Sequence, residues 1–78
     1  MKDFTFQLNT LRIRHAQRVS SFLSEGYVAI FTVKNDIRSR YTRLRHKNGN
    51  AITVLTDFHS QIVRKNGKLI EKRDFPSA

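Results

Sequence analysis

The tripeptide Lys-Asn-Gly occurs twice, at 47–49 and again at 65–67. Asn-Gly is the strongest short-range hairpin signal, because tight turns that match strand twist need positive φ at residues that tolerate it. Strand-type residues flank both copies: Thr42-Arg43-Leu44-Arg45 and Ala51-Ile52-Thr53-Val54 around the first, Gln61-Ile62-Val63-Arg64 and Lys68-Leu69-Ile70-Glu71 around the second. Two hairpins this close predict an antiparallel sheet of sequence-adjacent strands. The repeat is a shared turn chemistry, with no duplicated domain around it.

Loop length decides which side chains face which way, since a slip of one residue exchanges the faces of a strand. A two-residue loop at Asn48-Gly49 sets Arg45 against Ile52 and Arg43 against Val54. A three-residue loop, Lys47-Asn48-Gly49 with Gly in the left-handed bulge position, pairs Leu44 with Ile52 and Thr42 with Val54. The second gives one consistently apolar face and leaves Tyr41, Arg43 and Arg45 together on the other, so it is the expected register. In the later hairpin Ile62 with Ile70, and Val63 with Leu69, are the expected partners. Asp57 in the connection Asp57-Phe58-His59-Ser60 is of the type that caps its own turn.

Tyr27 to Val33 reads Y-V-A-I-F-T-V, aromatic and β-branched on both faces. Such a strand is expected at the centre of the sheet, with both faces covered, and Lys34-Asn35-Asp36 as the turn after it. Residues 10–25 read as a helix: Asn9 or Thr10 can cap its start, and Gly26 stands where a C′ glycine belongs. Leu8, Leu11, His15, Ala16, Val19, Phe22 and Leu23 fall on one broad face at 3.6 residues per turn. His15 in that stripe is a packing residue, because no second ligand stands at i+3 or i+4. Residues 1–9 are a lead-in, as short strand, extended arm or hydrophobic staple. Residues 27–73 hold the antiparallel strands and 74–78 form a tail in which Phe75 can dock and Pro76 ends pairing.

The expected fold is α+β, a single domain over 1–78: an N-terminal helix packed on a strongly bent five-stranded antiparallel sheet, with a small SH3/Sm-like barrel as its closed form. A chain of 78 residues buries only ~60–65% of its unfolded surface, so its core is modest. No Cys is present, which excludes a disulfide framework and a thiolate nucleophile and fits a reducing cytoplasm. No run approaches the ~20 apolar residues of a membrane span, so no membrane role is expected.

Charge narrows the function further. Fifteen Lys+Arg stand against six Asp+Glu, a formal net charge of +9. Self-repulsion of this size in a small domain points to an anionic counterpart. The positive charge is densest in Arg38–Lys47, R-S-R-Y-T-R-L-R-H-K, which holds no acid. Ten residues of strand extend about 33 Å, the reach of several phosphates. Arg offers a planar fork to phosphate, and Tyr a surface on which a base can stack. Arg38, Arg40, Tyr41, Arg43, Arg45 and Lys47 are the candidate contacts, with Arg64, Lys65 and Lys68 of the second hairpin added. Arg12, Arg14 and Arg18 of the helix could extend the surface. The plainer explanation is a solvated outer face on which cations guard a sheet edge.

Catalysis needs convergent groups, and the three His and six acids are dispersed along the chain. Only three Gly are present, each assigned to a turn or cap, so there is no phosphate-binding glycine loop. The expectation is a non-enzyme without metal or cofactor. Its partner is DNA or RNA, or, in the rival reading, an acidic surface on a host protein inhibited by a small phage or mobile-element product.

The segment Phe22-Leu23-Ser24-Glu25-Gly26-Tyr27-Val28-Ala29-Ile30-Phe31-Thr32 resembles the helix end and first strand of small Sm-like barrel proteins encoded by phages. Those also run from an L-x-E-G helix end into a strand carrying Phe-Thr. Ser60-Gln61-Ile62-Val63 is similar to the fourth strand of the bacterial Sm-like RNA chaperones. The resemblance covers some 50 residues and implies a barrel and a homo-oligomeric ring. It carries over no functional residue: where those chaperones place a Tyr-Lys-His triplet, this chain has Arg64-Lys65-Asn66-Gly67, and its helix is longer.

Overall fold

The computed structural model describes residues 4–36 and 38–76, with the side chains of 33–36 excepted. One helix, α1 (Phe4–Leu23), precedes five strands: β1 (Val28–Asp36), β2 (Ser39–Arg45), β3 (Ala51–Asp57), β4 (Ser60–Lys65) and β5 (Lys68–Asp74). Strand order follows the chain, β1-β2-β3-β4-β5, and every pairing is antiparallel. This is the expected α+β layout. The sheet stays open, with β1 and β5 as its two edges, and is not closed into a barrel. Among the described residues no helix is long and apolar enough to cross a membrane.

Helix α1 begins earlier than expected. Residues 4–9 are helical, not an arm or a strand, and Thr10 lies inside the helix, where its Oγ1 donates to the Phe6 carbonyl at 2.9 Å. The alternation of Phe4 and Phe6 with polar residues hid a helical continuation of the Leu8–Leu11 stripe. Phe4 is held by an edge-to-face contact with Phe58, ring centroids 5.9 Å apart. The far end of α1 follows expectation. Gly26, at φ 100°, occupies C′ of a Schellman motif. Tyr27 N donates to Phe22 O and Gly26 N to Leu23 O. The Phe22 and Tyr27 rings close the motif at 5.6 Å.

The first hairpin has the three-residue loop. Leu44 pairs with Ile52 and Thr42 with Val54, Gly49 N donates to His46 O at 2.9 Å, and Gly49 has φ 98°. The second hairpin uses the same tripeptide differently. Lys65 pairs with Lys68, and both Asn66 (φ 51°) and Gly67 (φ 86°) are left-handed, as a two-residue type I′ turn requires. A bulge after Arg64 then shifts the ladder again, so Val63 faces Glu71 and Ile62 faces Lys72. The expected pairs Ile62–Ile70 and Val63–Leu69 do not form. Leu69 and Ile70 are left 53% and 51% exposed.

The largest departure concerns β1. It is an edge strand, with Val28 66%, Ile30 49% and Phe31 43% exposed. The helix packs chiefly on β3 and β2, so β1 has neither a helix over it nor a strand beyond it. Lys34-Asn35-Asp36 belongs to β1 and not to a turn, since Asp36 still pairs with Ser39.

The core lies between α1 and the β2–β3–β4 part of the sheet. Leu44, Ile52, Val54 and Val63 are at most 1% exposed and cluster with Phe22 of the helix and with Tyr27, while Leu11 is buried as well. Each such side chain contributes about 1.5–3 kcal/mol relative to exposure. Polar ties fix the helix to the later strands. Arg18 Nε donates to Glu71 Oε1 at 2.8 Å, Gln61 Nε2 donates to Arg14 O at 3.3 Å, and the Arg14 guanidinium lies 3.9 Å over the Phe75 ring.

Candidate nucleic-acid interface

Strand alternation divides the sheet into a face under α1 and an open face. Thr42 and Leu44 are buried beneath the helix, whereas Arg43 and Arg45 between them are exposed and Tyr41 half-buried. Directly paired residues share a face. One open-face row therefore runs Phe31, Arg43, Thr53, Arg64 across four strands. The next runs Tyr41, Leu55, Ile62, Lys72, and Arg45 stands over Ala51 at the turn end. These rows enclose a groove of about 460 Å³, with Tyr41, Arg43 and Arg64 on its walls and Thr53, Leu55 and Ile62 on its floor. Phe31 and Tyr41 lie with ring centroids 6.0 Å apart, tilted at 51°.

Among the described residues the ion pairs are Arg18–Glu71, Lys72–Asp74 and Arg73–Glu71, so Arg43, Arg45 and Arg64 have no carboxylate partner. Asp57 is consumed by its own turn, as its residue type implied: Oδ1 accepts from His59 N at 2.8 Å and Ser60 N at 2.7 Å.

The nine sequence-selected residues do not form one surface. Tyr41, Arg43, Arg45 and Arg64 share the open face. Lys47, Lys65 and Lys68 are exposed around the two turns. Those turns are tied side by side: Asn66 N donates to Ala51 O, Ala51 N donates to Asn66 Oδ1, and Asn66 Nδ2 donates to Asn50 Oδ1. Lys65 pairs with buried Ile52 and so belongs by register to the helix side. Arg38 stands exposed just before β2, at the other end of the strand. Arg40 shares the helix-side face with Thr42, as alternation requires. The helix arginines do not extend the open face. Arg14 is over Phe75, and Arg18 is bonded to Glu71 and lies 4.4 Å over the Phe22 ring. Sequence reasoning missed Phe31, taken for a core residue of a central strand, and Lys72, whose place depends on the β5 bulge.

Behind the open face lies a polar chain. His15, 5% exposed, has Nδ1 2.8 Å from Thr56 Oγ1 and Nε2 2.7 Å from Thr42 Oγ1. Burial, and secondarily the charge of Arg40, pull its pKa down to about 4, so the ring is neutral. Thr56 Oγ1 also accepts from Gln61 Nε2 at 2.9 Å, and its hydroxyl can still either donate to Nδ1 or accept from it. A neutral ring donates from one nitrogen and accepts at the other in either tautomer, and the Thr42 hydroxyl also lies 3.0 Å from Thr32 Oγ1. His15 is thus a packing residue with both nitrogens satisfied. Among the described residues no three His, Asp or Glu side chains come together as a metal site needs.

Comparison with protein-family models, with curated proteins and with solved structures finds no match to this chain.

Proposed function

We propose that this protein is a non-catalytic nucleic-acid binder that uses the open sheet face. The supporting observation is the cross-strand row that sets Arg43 and Arg64 in one groove with Tyr41, beside the Phe31 ring. Guanidinium groups without carboxylate partners, next to aromatic rings, suit a phosphate backbone whose bases stack alongside. Lys47, exposed at the turn end, adds a phosphate contact of no sequence specificity, whereas Lys65 and Lys68 fall by register on the helix side. The chemistry of this surface does not separate DNA from RNA.

Fluorescence anisotropy with single-stranded DNA, single-stranded RNA and duplex, over a salt series, tests the proposal. If about five cations meet phosphates, log K falls against log[salt] with a slope of roughly −3.5 for single strands or −4.5 for duplex. Absence of binding to all three at low salt ends it.

A second reading rests on a different observation, the exposed apolar edge β1. An unpaired strand edge invites an added strand. A host protein offering an acidic strand would gain ladder hydrogen bonds and charge complementarity together. Under that reading a protein stays bound in stoichiometric amount after nuclease treatment, and Phe31→Lys releases it.

A further inference from the structure

Helix α1 covers β2 and β3 and leaves the helix-side surface of β1 bare. The space between them is a cleft of about 580 Å³, within the ~300–1,000 Å³ of small-molecule sites. On the helix wall Ile13, Ala16 and Val19 make an apolar stretch beside Asn9, Arg12 and His15. Its floor is the Thr32–Thr42 hydroxyl pair, and Arg40 and Arg12 line it as well.

Arg40 is the unexplained part. Its Nε is buried and meets no acceptor. An ionised donor withdrawn from water without an acceptor is costly, and native structures rarely leave one so. Intramolecular carboxylates do not supply it among the described residues: Glu71 holds Arg18, Asp57 caps its turn, Asp74 lies by Lys72, and Glu25 follows the far end of α1. The neighbouring imidazole of His15 is spent on two threonines. Among the described residues no acceptor is left for it.

We propose that this cleft is a second binding site, for a small organic anion whose carboxylate or phosphate head meets Arg40 and whose apolar body lies along Ile13, Ala16 and Val19. The site is on the opposite side of the sheet from Tyr41, Arg43 and Arg64, so it does not depend on the nucleic-acid reading. Anion binding also has an internal reporter. The charge of Arg40 helps hold His15 neutral, so an anion seated on Arg40 raises the His15 pKa.

The test is an NMR titration of the full chain with octanoate, inorganic phosphate and octylamine in parallel. Octanoate is expected to give saturable shifts at Arg40 Nε–H and at the Thr32 and Ala16 amides, and to raise the His15 pKa. Arg40→Met should weaken it roughly tenfold or more, the value of a charge-assisted hydrogen bond. Arg43→Ala with Arg45→Ala should leave it unchanged. The site is overturned if octanoate gives no saturable shift on the native chain, or if Arg40→Met retains full affinity. It is equally overturned if octylamine binds as well as octanoate. Phosphate binding as tightly as octanoate removes the apolar body from the ligand class. Shifts confined to the open face assign the anion to Arg43 and Arg64 instead.

Discussion

His15 Nε2 lies 2.7 Å from Thr42 Oγ1, and that bond joins α1 to β2 beneath the open face. With Thr56 on Nδ1, the ring spans two adjacent strands from a single helical position. Burial and the charge of Arg40 keep this imidazole neutral, with one nitrogen donating and the other accepting.

Stability should therefore fall in acid in a defined window. The folded pKa of about 4 lies below the ordinary 6.5, so between these values the unfolded chain binds the extra proton. His15 contributes its full share above pH 6.5 and loses it progressively as the pH falls toward 4. The loss is on the order of 3 kcal/mol over the window. Urea unfolding at pH 7, 5.5 and 4 measures it. His15→Gln should flatten the dependence in this range while costing about 2–4 kcal/mol at pH 7 through the unpaired threonines.

Gly26 and Gly49 provide a matched pair. Both have φ near 100° (100° and 98°), so alanine at either meets the same left-handed backbone, about 1–2 kcal/mol. A Cβ at Gly49 meets nothing within 4 Å, whereas one at Gly26 comes 2.9 Å from His46 Nε2. The His46 ring is held edge-on to Tyr27, at 5.0 Å, and its Nδ1 accepts from Asn48 N. Gly26→Ala should thus destabilise more than Gly49→Ala by roughly 1 kcal/mol. Adding His46→Ala should narrow the gap, as thermal melts of the three variants will show.

Arg43→Ala with Arg45→Ala should leave unfolding within about 0.5 kcal/mol of the native chain, since both side chains are exposed. Nucleic-acid binding should weaken, and the salt slope for single strands should fall by about 1.4, two phosphate contacts' worth. Anisotropy across a salt series reads both. An unchanged slope would place the phosphates elsewhere.

The Arg18–Glu71 pair is half-buried, at 26% and 33% side-chain exposure, and joins α1 to edge strand β5. Glu71→Gln should cost about 0.5–1.5 kcal/mol. The cost should shrink at high salt, measured as a change in urea midpoint.

The first hairpin was legible because only one register put Leu44, Ile52 and Val54 on a common side. Hydrophobic alternation is a strong constraint when one face is buried. The second hairpin repeats the tripeptide but follows it with Leu69-Ile70, two apolar neighbours that any register must split between faces. A bulge resolved that split, and nothing in composition announces a bulge. Apolar residues on both faces of β1 read as a central strand, yet burial depends on which elements exist to cover it. The described residues hold one helix, and it lies over β2 and β3. At the site, Tyr41, Arg43 and Arg45 followed directly from the legible hairpin. Phe31 and Lys72 did not, because they depend on the two irregular ladders at the edges.

A strand order that repeats the chain order also governs how the molecule reaches its native state. Each ladder closes only the short loop between consecutive strands, so the sheet can zip hairpin by hairpin with little closure entropy. The long-range step is the docking of α1, whose His15–Thr56 and Arg14–Gln61 bonds bridge 41 and 47 residues. In synthesis from the N-terminus, α1 is complete before β3 and β4 exist. Its Leu11 and Phe22 then stay in water until β2 and β3 have been made. The helix is the first element built and finds its place only once later strands exist.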